Sequence, residues 1–180
     1  FYQKTIIRGD FVDIKNVKRI TVKVGTSTLT HDTGKLNLKR IDKLARVLSD
    51  LKNAGKEIIL VTSGAIGVGA AKLPSVEYPL DTKTKQAAAA VGQVELMYIY
   101  DKFFAEYGNM VAQVLLTKDC LEHSCRRKNT INTLDELLSL GVIPVINEND
   151  TVAVDEIVFG DNDTLSAQAA ALTGSQLLIL

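Results

Sequence analysis

Apolar and polar positions along this chain follow two periods, and the switches between them mark out its elements. Residues 19–24, Arg-Ile-Thr-Val-Lys-Val, are short and β-branched, which predicts a strand. From 38 to 54, Leu38, Ile41, Leu44, Ala45, Leu48 and Leu51 recur at helical spacing, and Gly55 closes the pattern. The segment 56–62, with Ile58-Ile59-Leu60-Val61 at its centre, predicts a strand buried on both faces. A Gly-rich stretch, 63–69, runs into a short helix, and a loop flanked by Pro74 and Pro79 leads to a long Ala-rich helix over 82–107. Further on, the pattern predicts strands at 110–116, 142–146, 156–159 and 176–180, with helices at 130–140 and 164–172. Strands alternating with helices imply parallel pairing with helices on both faces. The expected fold is therefore a three-layer α/β/α sandwich around a mainly parallel central sheet. Ligands of such sheets gather at the carboxyl ends of the strands.

The unusual residues all follow strands. The first group is Lys23-Val24-Gly25-Thr26-Ser27. An ammonium at the end of a covered strand is costly unless it meets an anion or reaches water. Gly25, Thr26 and Ser27 offer backbone N–H groups and hydroxyls suited to cradling a phosphate. The plainer alternative is a lysine snorkelling to solvent before an ordinary turn. The second group is Thr62-Ser63-Gly64-Ala65-Ile66-Gly67-Val68-Gly69. Small residues there admit a ligand to the backbone, and the following helix start favours an anion. The plainer alternative is tight packing of helix on strand. The glycines run G-x-x-G-x-G, not the G-x-G-x-x-G of a dinucleotide site, and no G-x-x-x-x-G-K-[ST] loop occurs, so both of those classes are disfavoured.

The third group is a pair of amide–carboxylate clusters, Asn147-Glu148-Asn149-Asp150 and Gly160-Asp161-Asn162-Asp163. Carboxylates for an ammonium, with amides for a carboxylate, suit an α-amino acid. Asp163 is equally well placed to cap the helix expected near Thr164, and Asp161 to stabilise a turn. Cys120, His123 and Cys125 match no zinc spacing. Arg126, Arg127 and Lys128 read as a solvated helix start, and Ala87–Ala90 as a close-packing helix face.

Composition then excludes some classes. Lys plus Arg and Asp plus Glu each total 21, which argues against a nucleic-acid footprint. No apolar run approaches the roughly 18 residues of a membrane span, and no signal peptide is legible. Two cysteines among charged residues make no disulfide framework, so a reduced, cytoplasmic protein is expected. The sequence opens at Phe1 without a methionine and closes at Leu180 inside an apolar run. We therefore expect residues 1–18 to be an additional arm or expression remnant, and the C-terminal part of the domain to lie outside these 180 residues.

Five segments in order resemble the amino acid kinase family, and within it the glutamate 5-kinase branch. They are Val22–Ser27, Val61–Ile66, Lys85–Gln93, Val145–Asp150 and Gly160–Asp163, and the likeness runs from about Arg19 to Leu180. The resemblance implies that 19–180 is the amino-acid-binding N-terminal half of an amino acid kinase domain. It implies ATP and Mg²⁺ as phosphoryl donor and companion ion, L-glutamate as acceptor, proline as a possible feedback inhibitor, and a homo-oligomer. It gives Lys23 a contact with the transferred phosphoryl group, with Gly25, Thr26, Ser27 and Gly64 along the phosphate path. Ser63, Asp150 and Asn162 match positions that hold glutamate. Asp163 would position lysines, with Asn147 and Asp161 in support, and no protein residue is assigned to a metal. The alternatives are a sibling kinase acting on aspartate or N-acetylglutamate, or a module that binds glutamate or proline without turnover.

Overall fold

The computed structural model describes residues 5–6, 14–31, 33–74, 78–153 and 162–180. Its strands are β1 (Thr5–Ile6), β2 (Arg19–Lys23), β3 (Glu57–Val61), β4 (Val111–Leu116), β5 (Ile143–Glu148) and β6 (Leu177–Ile179). They form one sheet in the order β1-β6-β2-β3-β5-β4. The last five are mutually parallel, while β1 lies antiparallel on β6. Two residues are too few to show an alternating pattern, so β1 was not legible in the sequence. The helices are α1 (Thr26–Leu29), α2 (Leu38–Asn53), α3 (Ala65–Ala70), α4 (Thr82–Glu106), α5 (Lys118–Glu122), α6 (Ser124–Ser139) and α7 (Asn162–Leu172).

The continuous apolar run of β3 is explained by cover on both sides. Ile58 and Leu60 join Ile41, Leu48, Leu96 and Phe104 of α2 and α4 in one core. Ile59 and Val61 join Leu134 and Leu138 of α6 and Leu165 and Ala169 of α7 in the other. All four β3 side chains are at most 1% exposed, and burying each stabilises the fold by roughly 1.5–3 kcal/mol. The expected three layers are present. Among the described residues no helix is long and apolar enough to cross a membrane.

Two expectations need correction, and a third is untested. The helix expected at 130–140 begins at Ser124 and is preceded by α5. The segment 118–129 is almost wholly polar, so no apolar period announced it. Strand β5 runs on to Glu148, so Asn147 and Glu148 belong to the strand rather than the loop after it. The strand expected at 156–159 lies outside the described residues.

Helices α3 and α4 cross with their backbones in contact. A Cβ on Gly92 would lie 1.8 Å from the Ala65 carbonyl oxygen, and one on Gly69 would lie 1.8 Å from that of Ala88. The packing alternative for the Gly-rich stretch is therefore real at Gly69, while Ala88 and Ala89 supply the facing surface. Replacing Gly92 by Ala forces the helices apart and is expected to cost about 3 kcal/mol, the upper end of overpacking penalties. Urea denaturation should show a lower midpoint at unchanged slope. Stability equal to the parent's would mean that the crossing is looser than described.

Candidate functional site

Parallel register brings three strand ends to one edge. Lys23 pairs with Val61, and Val61 with Ile146. Beyond β2 the Val24 N–H donates to Val61 O at 2.8 Å, and beyond β3 the Thr62 N–H donates to Ile146 O at 2.9 Å. The chain leaves the two strands through Gly25 into α1 and through Gly64 into α3. Alternation along β2 sends Ile20 and Val22 into the core beneath α2 and α4, and Thr21 and Lys23 to the opposite face, where α7 lies.

There Lys23 Nζ sits 2.6 Å from Asp163 Oδ1. The lysine side chain is 19% exposed and the aspartate 60%, so the strand-end ammonium has met an anion at the rim of the sheet. The neighbouring residue, Asn162, donates from Nδ2 to Ser63 Oγ at 2.6 Å and to Thr62 O at 3.2 Å. Consecutive residues in the first turn of α7 thus hold the ends of two adjacent strands. Asp163 does not precede its helix as a cap, because α7 begins at Asn162. Its carboxylate lies in the first turn, where the helix dipole also favours it.

The two glycine turns adjoin. Gly64 has φ 95°, a left-handed conformation that disfavours any side chain, and a Cβ there would come within 3.3 Å of Thr26 Cγ2. Gly25 leaves room beside Lys23, whose Nζ would lie 3.7 Å from an added Cβ. Both α1 and α3 start at this edge, so their first N–H groups point back toward it. Ser27 is exposed, and its carbonyl accepts from Arg40 Nη1 at 2.9 Å.

The β5 cluster divides. Asp150 lies half-buried in the turn after the strand, closed by Val152 and Ala153 N–H groups donating to Asn149 O. Asn147 is only 1% exposed and lies on the α4 side of the sheet, donating to Gln93 Oε1 at 2.9 Å. Its own Oδ1 has no hydrogen-bond partner among the described residues. Asp161 lies outside the described residues. The edge therefore joins Lys23, Asp163, Asn162, Ser63, Gly25, Thr26 and Gly64, with Asn147 set beneath.

A cation, an amide, a hydroxyl and two glycine turns thus meet at the ends of parallel strands. The model of the amino acid kinase family matches residues 18–180. The chain belongs to the amino acid kinase family. Curated relatives include the glutamate 5-kinase of Listeria welshimeri serovar 6b, 57% identical over 171 residues, covering 93% of this chain and 62% of that protein. That of Clostridium perfringens strain 13 is 55% identical over 171 residues, covering 93% of this chain and 64% of the relative. The glutamate 5-kinase of Moorella thermoacetica is 55% identical over 167 residues, 93% of this chain and 44% of that protein. The chain thus spans less than two thirds of the length of these relatives.

In this family member, two supporting residues escaped the sequence reading. Gln93, buried on α4, accepts from Asn147 and donates from Nε2 to Gln113 Oε1 at 3.0 Å, tying α4 to β4 and β5. A polar residue on the buried stripe Ala88-Ala89-Gly92-Gln93-Leu96 was the available signal. Tyr100, 1% exposed, holds Thr62 Oγ1 at 2.7 Å. Burial pushes the Tyr100 phenol far above its ordinary range against the lowering effect of the Thr62 bond, so it stays neutral. Tyr100→Phe leaves the Thr62 hydroxyl without that partner and is expected to destabilise the fold by about 1–3 kcal/mol. Thermal unfolding followed by circular dichroism should show a Tm lower by several degrees. An unchanged Tm would mean that Thr62 is satisfied elsewhere.

Proposed function

We propose that this chain is the amino-acid-binding part of a glutamate 5-kinase. The reaction transfers the terminal phosphoryl group of ATP to the side-chain carboxylate of L-glutamate, giving ADP and glutamyl 5-phosphate, the first step of proline biosynthesis. The observation that carries this reading is the paired arrangement at α7, Lys23 on Asp163 beside Ser63 on Asn162. It sets a phosphoryl-seeking ammonium next to groups fitted to an amino acid. The identity to relatives named glutamate 5-kinase supports the choice of substrate.

The nucleophile is the substrate's own carboxylate, ionised at neutral pH because its reference pKa is about 4.3. No general base is needed. An oxygen of that carboxylate attacks the terminal phosphorus in line, and the bond from phosphorus to the ADP oxygen breaks. The obstacle is repulsion between two anions, and the chain's part is positioning and charge stabilisation. Lys23 reaches toward the transferred group while Asp163 keeps its ammonium aimed. Gly25, Thr26, Ser27 and Gly64 line the phosphate path. Ser63, Asn162 and Asp150 hold the amino acid, with Asp150 and Asp161 selecting a free ammonium, which N-acetylglutamate lacks.

Magnesium is ordinarily held by one or two carboxylates together with substrate phosphates rather than by an all-protein cage. Among the described residues no three His, Cys, Asp or Glu converge on one point, and Asp163 is engaged by Lys23. Such an ion would come with the nucleotide and would supply charge neutralisation at its phosphates. We read the protein as cytoplasmic and open to proline as a competitor at the glutamate pocket.

Calorimetric titration with L-glutamate, L-aspartate, N-acetylglutamate and L-proline tests this reading, alongside ATP-dependent turnover. Selective glutamate binding, weakened about tenfold or more by Asp150→Ala, is expected. In any form that turns over, Lys23→Ala should lower kcat by roughly 10²–10³. Binding without turnover would assign the chain a binding role alone. Preference for aspartate or N-acetylglutamate would move it to a sibling kinase.

A further inference from the structure

The chain between α1 and α2 folds back on itself. Thr30 and Leu36 form an antiparallel bridge. The His31 N–H donates to Lys35 O at 2.8 Å, and the Gly34 N–H to His31 O at 2.9 Å. This turn stands over the C-terminal end of α3, where a Cβ on Gly34 would lie 3.5 Å from Ala71 Cβ. Between the turn, the start of α2, the end of α3 and the middle of α4 lies a cavity of about 340 Å³. Sites for small molecules run from about 300 to 1,000 Å³.

The cavity is apolar below and charged at its rim. Leu36, Leu38, Val68, Ala71 and Ile99 make the apolar part. Val68 and Ile99 are buried, whereas Leu38 is 51% exposed. By spacing Leu38 belongs to the apolar stripe of α2, yet it opens on this cavity instead of the core. At the rim stand Lys35, Lys72 and Glu95. Lys72 Nζ lies 2.6 Å from Glu95 Oε2, so those two charges answer each other. Lys35 is exposed and, among the described residues, makes no ion pair. One positive charge is therefore left above an apolar floor.

We infer that this cavity binds a small apolar monocarboxylate, its hydrocarbon body on Leu36, Leu38, Val68 and Ile99 and its carboxylate at Lys35. Such a molecule matches the floor and the uncompensated charge together, as a pocket with few convergent polar groups requires. A free amino acid does not, because its ammonium would meet two lysines and a glutamate already engaged. The cavity thus takes a different chemistry from the edge at Lys23, whatever that edge binds. Helix α3 joins the two places, following Gly64 at the strand ends and closing at Ala71 beside the cavity. An occupant braces α3 at the end remote from Ser63.

Titration of the chain with octanoate, followed by methyl NMR and thermal unfolding, tests this. A Kd of about 1 mM or tighter is expected, with the methyl signals of Leu36, Leu38, Val68 and Ile99 shifting and Tm rising. Octanamide, which keeps the body and loses the charge, should bind roughly threefold more weakly. Lys35→Ala should cost octanoate the same factor, and Lys128→Ala, at an exposed site on α6, should cost nothing. Ala71→Phe places a ring in the cavity and should abolish binding. Circular dichroism checks that each variant is folded; if Ala71→Phe is not, Lys35→Ala and octanamide decide. Absence of binding at about tenfold above that Kd overturns the proposal. So do shifts confined to the strand edge around Ser63, octanamide bound as tightly as octanoate, or a folded Ala71→Phe that binds like the parent.

Discussion

The site depends on one turn of helix. Parallel strands expose their carboxyl ends as separate loops, and nothing in a sheet's own hydrogen bonds keeps those loops together beyond the last ladder rung. Here the first turn of α7 does so, with Asn162 bonded to Ser63 and Thr62 after β3, and Asp163 to Lys23 at the end of β2. Each bond answers a local need. The strand-end lysine requires an anion, and the Thr62 carbonyl, past the end of the ladder, requires a donor. Meeting both from adjacent residues fixes the two turns relative to each other, and with them the surface between Gly25 and Gly64.

The opposite side of the sheet supplies rigidity to the same edge. Tyr100 reaches from α4 to Thr62, and Gln93 links α4 to Asn147 and Gln113. Helix α4 is itself held by its backbone contact with α3, which follows Gly64. The residues around Ser63 are therefore gripped from both faces, through polar bonds that fix position and a glycine crossing that leaves little room for sliding. In the proposed reaction a carboxylate is delivered in line to a phosphoryl group, and such positioning is lost by displacements of about an ångström.

Much of this was legible in the residues. The unbroken apolar run of β3 announced cover on both faces, the 3.6-residue period announced α2, and the strand-end position of Lys23 left it either an anionic partner or solvent, of which the fold supplies the first. The identity of that partner was not legible, because Asp163 is 140 residues away in sequence and its cap-like context offered a sufficient local explanation. Gln93 drew no role because a single amide on an apolar stripe has no partner until the fold supplies one. Of the two readings of the Gly-rich stretch after β3, the structure shows the packing one. Gly64 shapes the turn and Gly69 admits α4. Helix α6 began earlier than expected because its first turns are solvated and carry no period. The acids of 154–161 lie outside the described residues, so the reading of Asp161 rests on sequence alone.

The central claim is that the edge held by α7 receives an amino acid with its side-chain carboxylate toward Lys23. A crystal structure of the chain with bound L-glutamate tests this most directly. The account predicts that carboxylate within reach of Lys23 Nζ, with the α-amino and α-carboxylate groups among Ser63, Asp150 and Asn162. Glutamate bound the other way round, or at a surface remote from the ends of β2 and β3, would contradict it.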